Sequence, residues 1–215
     1  MRKLIMKMSV SVDGFVGGPN GEIDWLLNSM DEDTTAWILD TIWNAGVHIM
    51  GSRTFQDMAA YWPYSEEPFA APMNEIPKIV FSKKNLTELI SANLTTVAYQ
   101  NSVAFLKAEG QQLNHLQPQH LATWTNAKVA NGDLTDEIKR LKQQPGKDIL
   151  AHGGASFMQS LAKADLIDEY RLLTHPVALG SGLPLFSALS KPLHLKLVGT
   201  TMFNSGAVAH VYRPG

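Results

Sequence analysis

Three short stretches of this chain place glycine, hydroxyl and basic side chains where an apolar run ends. In Met50-Gly51-Ser52-Arg53-Thr54-Phe55, the glycine permits a sharp turn and close backbone approach. Arg53 offers a planar fork for phosphate oxygens, and Thr54 adds a hydroxyl. In Ile149-Leu150-Ala151-His152-Gly153-Gly154-Ala155-Ser156, a glycine pair separates an apolar run from a helical pattern, which leaves backbone N–H groups open to an anion. The pair is not part of a Gly-x-Gly-x-x-Gly fingerprint, and no acidic ribose-binding residue follows at the expected distance. Phe81-Ser82-Lys83-Lys84 ends a third run with a hydroxyl and lysines, a chemistry suited to a ribose 2′-phosphate. Taken singly, these are a capped helix with a surface arginine, a tight turn and a solvated loop. Together they mark strand ends, and in open α/β sheets ligands bind beyond the carboxyl ends of the strands.

The remaining reactive residue types are sparse. Asp13 opens an Asp-Gly turn, where its carboxylate is expected to tie the loop, with substrate contact as the alternative. Trp25 suits the core or a stack on a flat ring. His152 titrates in a useful range, but a lone histidine at a strand end is expected to be structural. The seven histidines show no metal-ligand spacing, so no metal is expected. Asp165, Asp168 and Glu169 read as a solvated acidic turn. With no cysteine, disulfides, thiolate catalysis and Cys-based zinc sites are excluded. The net charge of −2 comes without a basic stripe, which argues against nucleic-acid binding. The apolar run after Met1-Arg2-Lys3 breaks at Lys7 and Ser9, too soon for a signal peptide, and nothing approaches the ~20 apolar residues that span a bilayer. A cytoplasmic location without membrane partners is expected.

The elements that must position these residues read as alternating strands and helices in a single domain of 215 residues. Strands are predicted over Leu4–Val12, Val47–Met50, Lys78–Phe81, Leu94–Ala98, Ile149–His152 and Tyr170–Val177. Helices are predicted over Asp31–Ala45, Arg53–Ala60, Leu134–Lys142 and Ser156–Lys163, the first capped by Asp31 or Asp33 and the third by Asp133 or Thr135. Pro63–Pro77, with four prolines, reads as a surface loop, and Asn101–Asn126 as a variable insertion in which Val103–Lys107 suits a helix. Leu193–Met202 and Ala207–Tyr212 form a terminal hairpin around Asn204-Ser205-Gly206. The sum is an α/β protein with three α/β/α layers, a mostly parallel central sheet and an antiparallel C-terminal edge.

The order of Ser11-Val12-Asp13-Gly14, Met50-Gly51-Ser52-Arg53-Thr54-Phe55, Phe81-Ser82-Lys83 and His152-Gly153-Gly154 resembles the dihydrofolate reductase superfamily. Leu166-Ile167-Asp168-Glu169-Tyr170-Arg171-Leu172 and Pro176-Val177-Ala178-Leu179-Gly180-Ser181-Gly182-Leu183-Pro184-Leu185-Phe186 are similar to the branch containing the riboflavin-biosynthesis reductase domain. The resemblance implies a dihydrofolate-reductase-like fold and an NADPH-dependent reductase of a small heterocycle. It implies that Gly51, Ser52, Arg53 and Thr54, with Gly153, Gly154, Ala155 and Ser156, surround the cofactor phosphates, and that Ser82 and Lys83 meet the 2′-phosphate. It implies a catalytic carboxyl near Asp24, with Asp13 and Trp25 on the substrate side, and a homodimer. Two departures stand out. His152 occupies a place where the riboflavin enzymes usually carry Glu, and Phe15 one where they tend to carry Lys. The alternatives are the ribosylaminopyrimidine (5-amino-6-(5-phosphoribosylamino)uracil) reductase itself and an NADPH-binding protein without turnover.

Overall fold

A computed structural model describes residues 1–90 and 118–215, with positions 104 and 107 between them. In chain order the strands are β1 (Leu4–Ser11), β2 (Ala45–Gly51), β3 (Lys78–Phe81), β4 (Lys128–Ala130), β5 (Asp148–Ala151), β6 (Glu169–His175), β7 (Leu195–Met202) and β8 (Val208–Pro214). The helices among the described residues are α1 (Glu32–Trp43), α2 (Ser52–Tyr61), α3 (Ala70–Glu75), α4 (Leu86–Ile90), α5 (Pro118–Thr125), α6 (Leu134–Gln143) and α7 (Ala155–Lys163).

The strands form one sheet in the order β4-β3-β2-β5-β1-β6-β8-β7. The first six run parallel, and β8 runs antiparallel to both β6 and β7. Alternate residues of each strand serve opposite faces. Leu4, Met6, Val47, Ile49, Ile149 and Ala151 pack with Ile138 and Leu141 of α6 and with Met158 and Leu161 of α7. Ile5, Met50, Val80, Leu150 and Leu173 pack on the other side with Ile42 of α1, Phe55 of α2, Met73 of α3, Leu89 of α4 and Trp124 of α5. This is the expected three-layer architecture. Burying each such side chain contributes about 1.5–3 kcal/mol, so the sheet is held from both sides.

The caps resolve the two sequence alternatives. The Asp31 carboxylate accepts from the Thr34 N–H at 2.8 Å, and Asp133 accepts from the Thr135 N–H at 2.8 Å. The terminal hairpin closes through the Phe203 N–H to the Ala207 carbonyl at 2.9 Å, with Gly206 at φ 82°.

Several expectations need correction. The Pro63–Pro77 stretch is not a plain surface loop: it contains α3, with Pro72 and Met73 buried. Pro72 lies in the first turn, where its missing N–H has no helical partner to lose. The Asn74 amide donates to the Trp62 carbonyl and accepts from the Trp124 indole, both at 2.8 Å. The end of the supposed insertion carries α5, started by Pro118, a favoured first helical residue. Strand β4 went unread because three residues carry no period; its partner β3 defines it. Glu169 is not in a solvated turn but buried at the start of β6, paired with Arg171 at 2.9 Å and Arg213 at 3.2 Å. The strand predicted over Leu94–Ala98 lies outside the described residues, as does most of Val103–Lys107.

Candidate functional site

Because six neighbouring strands run parallel, their carboxyl ends share one rim of the sheet. On that rim β2 and β5 are neighbours, and each leads directly into a helix. The caps of α2 and α7 are Gly51 and Gly154, and neither helix receives a side-chain capping hydrogen bond. The two starts lie against each other: the Gly51 N–H donates to the Gly153 carbonyl at 3.0 Å, and the His152 N–H to the Ile49 carbonyl at 3.0 Å. The Gly153–Gly154 peptide is cis, and Gly153 has φ 116°, a conformation that L side chains rarely adopt. A Cβ on Gly154 would stand 3.0 Å from Thr54 Oγ1, and one on Gly51 would stand 3.4 Å from Phe157 Cβ.

The glycines therefore let the two strand-to-helix junctions pack against each other where a side chain would collide. The first-turn N–H groups of Ser52, Arg53 and Thr54 belong to one helix start, and those of Ala155 and Ser156 to the other. Two adjacent uncapped helix starts carry free donors and partial positive charge, the requirements of a diphosphate. Arg53 is exposed beside them, with no salt-bridge partner among the described residues. These residues fit the diphosphate bridge of a nicotinamide dinucleotide. At the next strand end, the Ser82 N–H bonds the Ala130 carbonyl at 3.1 Å and its hydroxyl accepts from the Lys84 N–H at 2.9 Å. Lys83 is exposed, with Nζ on the Asn131 carbonyl at 2.6 Å.

The other end of the rim is built differently. Asp13 is fully committed: its carboxylate accepts from Ser11 Oγ at 2.5 Å and from the N–H groups of Leu179 at 3.1 Å and Gly180 at 2.7 Å. The Ser11 hydroxyl, then the loop amides, hold its pKa below the ordinary carboxylate value. It ties the loop after β1 to the loop after β6, where Phe15 also pairs with Pro184. Asp24 is exposed in the first turn of a short 3-10 helix over Asp24–Ser29. Trp25 is buried, its indole N–H on the Glu22 carbonyl at 3.0 Å and its ring edge-on to His175 at 5.5 Å. His175, also fully buried, shares a 2.6 Å hydrogen bond between Nδ1 and Ser29 Oγ.

Sequence reasoning missed what lies on the same face of the sheet. Lys78, His48 and Lys7 lie on strands β3, β2 and β1, and His152 is the residue immediately after β5, between β2 and β1. His48 pairs with Lys78 in register, and one step past the Met6–Ala151 pair sets Lys7 beside His152. The rings of His48 and His152 meet edge-on at 4.3 Å. Lys78 is satisfied by the Ile76 carbonyl at 2.6 Å and Thr123 Oγ1 at 2.9 Å, and lies 4.5 Å over the Trp124 ring. Among the described residues no hydrogen bond of ordinary geometry reaches either ring nitrogen of His48, which lies near the Ile42 backbone, nor Nε2 of His152 or of His175. Burial pushes His152 down to about 3 and His175 to about 4, helped by the nearby Lys7 ammonium. His48 is driven well below its usual value by burial and then by His152. The available signal was a lysine inside the apolar pattern of β1, read only as the end of an apolar run.

The family profile of the RibD C-terminal domain matches residues 2–209. The chain belongs to the RibD C-terminal domain family. Within reach of it is YyaP of Bacillus subtilis (strain 168), itself uncharacterized, 32% identical over 213 residues that cover 98% of this chain and 94% of YyaP. Among solved structures, a pyrimidine reductase-like protein from Corynebacterium diphtheriae superposes with a TM-score of 0.60 at 15% identity, over 100% of this chain and 92% of its own. A dihydrofolate reductase from Enterococcus faecalis complexed with NADP(H) superposes with a TM-score of 0.57 at 11% identity, over 99% and 96%. The fold is thus dihydrofolate-reductase-like, and membership of the RibD family supports a reductase-like role. No helix among the described residues is long and apolar enough to cross a membrane.

Proposed function

We propose that this protein is an NADPH-dependent reductase that transfers a hydride to a small planar heterocycle of pterin or pyrimidine type. The observation that carries the reading is the pair of uncapped helix starts brought side by side at Gly51, Gly153 and Gly154, with Arg53 exposed on the first of them. Ser82 and Lys83, one strand further out, support a 2′-phosphate and hence NADPH over NADH. NADPH, when bound, supplies the hydride. The chain's own residues hold the phosphates, fix the ring orientation and exclude water at the far end of the rim. Asp24 on the 3-10 turn is the proposed carboxyl for the substrate's proton.

The test is calorimetry with NADPH and NADH, then loss of reduced-nicotinamide absorbance with pterin and pyrimidine substrates, including the ribosylaminopyrimidine. Binding with no oxidation by any of them would leave a nucleotide-binding protein. Unchanged turnover in Asp24→Asn would remove that residue from the proton path.

We also propose a homodimer through β7. It is an edge strand with Leu197, Val198 and Met202 exposed. Light scattering should give twice the chain mass, and Val198→Asp should halve it with stability changed by about 0.5 kcal/mol or less.

A further inference from the structure

On the sheet face below the substrate end of the rim, one cation has no counter-ion among the described residues. Lys7 sits mid-strand in β1, near the middle of the sheet, on the face that α1 covers. It makes no salt bridge among the described residues, although it remains partly open to solvent. The neighbouring cations are neutralised or capped. Arg171, its in-register partner on β6, is held by Glu169 at 2.9 Å and Thr41 at 3.1 Å, and Lys78 is held by a carbonyl and a hydroxyl. By register His152 lies beside Lys7, and His175 lies four residues beyond its partner Arg171 on β6, toward the rim; each has a buried Nε2 with no partner among the described residues. His175 is also immobilised, by Ser29 on one ring nitrogen and by Trp25 edge-on.

An unpaired ammonium and two unsatisfied imidazoles on a central sheet are costly to the fold. Groups of this kind collect where a ligand completes them. Among the described residues no carboxylate pairs with this cluster, and Asp24, the proposed source of the substrate's proton, lies exposed on the 3-10 turn. We propose that Lys7, His152 and His175 form an anion-receiving subsite, so that the substrate is a flat heterocycle carrying a carboxylate or an ionised ring oxygen. Lys7 supplies the charge, and the two imidazoles supply neutral donors for further oxygens. Burial holds Lys7 at about 8, so the ammonium is charged at neutral pH. This inference rests on the reductase reading only for the ring that brings the anion.

Three planar pyrimidines of similar size separate the charge types: orotate, which carries a carboxylate, neutral uracil, and 2,4-diaminopyrimidine, which binds carboxylates. Each is titrated calorimetrically into the full chain, with and without NADPH. Orotate should bind at least about 10-fold more tightly than the other two, a difference of ~1.4 kcal/mol. Lys7→Met should erase the preference and Lys7→Arg retain most of it, with circular dichroism and melting reporting the fold of each. Absence of orotate binding, equal affinity for all three, preference for the diaminopyrimidine, or unchanged orotate binding in Lys7→Met overturns the subsite. Failure of NADPH to bind would sink the cofactor reading instead, and the cofactor-free titrations would still decide the subsite.

Discussion

The two ends of the rim solve opposite problems. At the β2–β5 end the chain removes side chains: Gly51, Gly153 and Gly154 leave backbone N–H groups bare, and the one strong charge, Arg53, is exposed. Toward β1 and β6 it adds side chains where a core would exclude them: Lys7 and His175, joined by His152 after β5 and His48 on β2, stand on a face otherwise filled by Ile5, Met50, Leu150 and Leu173. On the proposed reading, the first end would recognise a ligand by the shape and dipoles of the backbone, which any phosphate-bridged nucleotide satisfies. The second would recognise by side-chain chemistry, which is where specificity among flat rings resides. A fold can keep the first constant while the second varies.

The sharpest way to break this contrast is to put a side chain into the bare end. Gly153→Val demands a β-branched residue at φ 116° and sets a side chain beside the uncapped helix starts proposed to hold the phosphates. Backbone strain of ~1–3 kcal/mol adds to the steric block, and NADPH affinity should fall roughly 100-fold or more by calorimetry. A valine variant that binds NADPH normally would mean that this junction is not the cofactor site. Next in size is Arg53→Ala, which removes one charge-assisted phosphate contact worth about 1.5–3 kcal/mol, a loss of roughly 10- to 100-fold. Unchanged NADPH affinity there would assign Arg53 to the solvent.

The other end is probed by pH. His152 and His175 remain neutral in the folded protein down to about 3 and about 4, and His48 well below 6.5, whereas the unfolded chain protonates all three near 6.5. Folded-state pKa values are lowered, so the unfolded state binds more protons below 6.5. Stability should be fullest above that value and fall as the solution is acidified from 6.5 toward 4. Replacing His48 by Leu should remove about 1.4 kcal/mol per pH unit from this slope in urea titrations, with stability at pH 7 near that of the parent. An unchanged slope would show that His48 charges freely in the folded protein.

Legibility from sequence followed the same divide. Gly51, Arg53 and the Gly153-Gly154 pair stood out because glycine and arginine at the end of an apolar run have few purely structural uses. Their meeting across β2 and β5 was not legible, because strands about a hundred residues apart in sequence become neighbours only when β5 inserts between β2 and β1. Asp13 was readable as a turn residue, and the loop amides of Leu179 and Gly180 that it ties were not. Strand β4 and helices α3 and α5 were invisible or misread for a local reason: short elements carry too few residues to show a period, and proline in a first helical turn looks like a loop signal.

Strand periodicity, glycine placement and capping aspartates are local properties, so the sequence alone determined the layers, the parallel sheet with its antiparallel edge, and the glycine-bearing strand-to-helix junctions. The tertiary structure decided which polar residues ended up buried together. Lys7, His48, Lys78 and His175 come from four different strands and His152 from the end of a fifth, and in sequence nothing marks them as a group. Strand order and register put them on one face, and burial and mutual repulsion there then set their charges. Those quantities depend on distances between strands, which no single stretch of sequence contains.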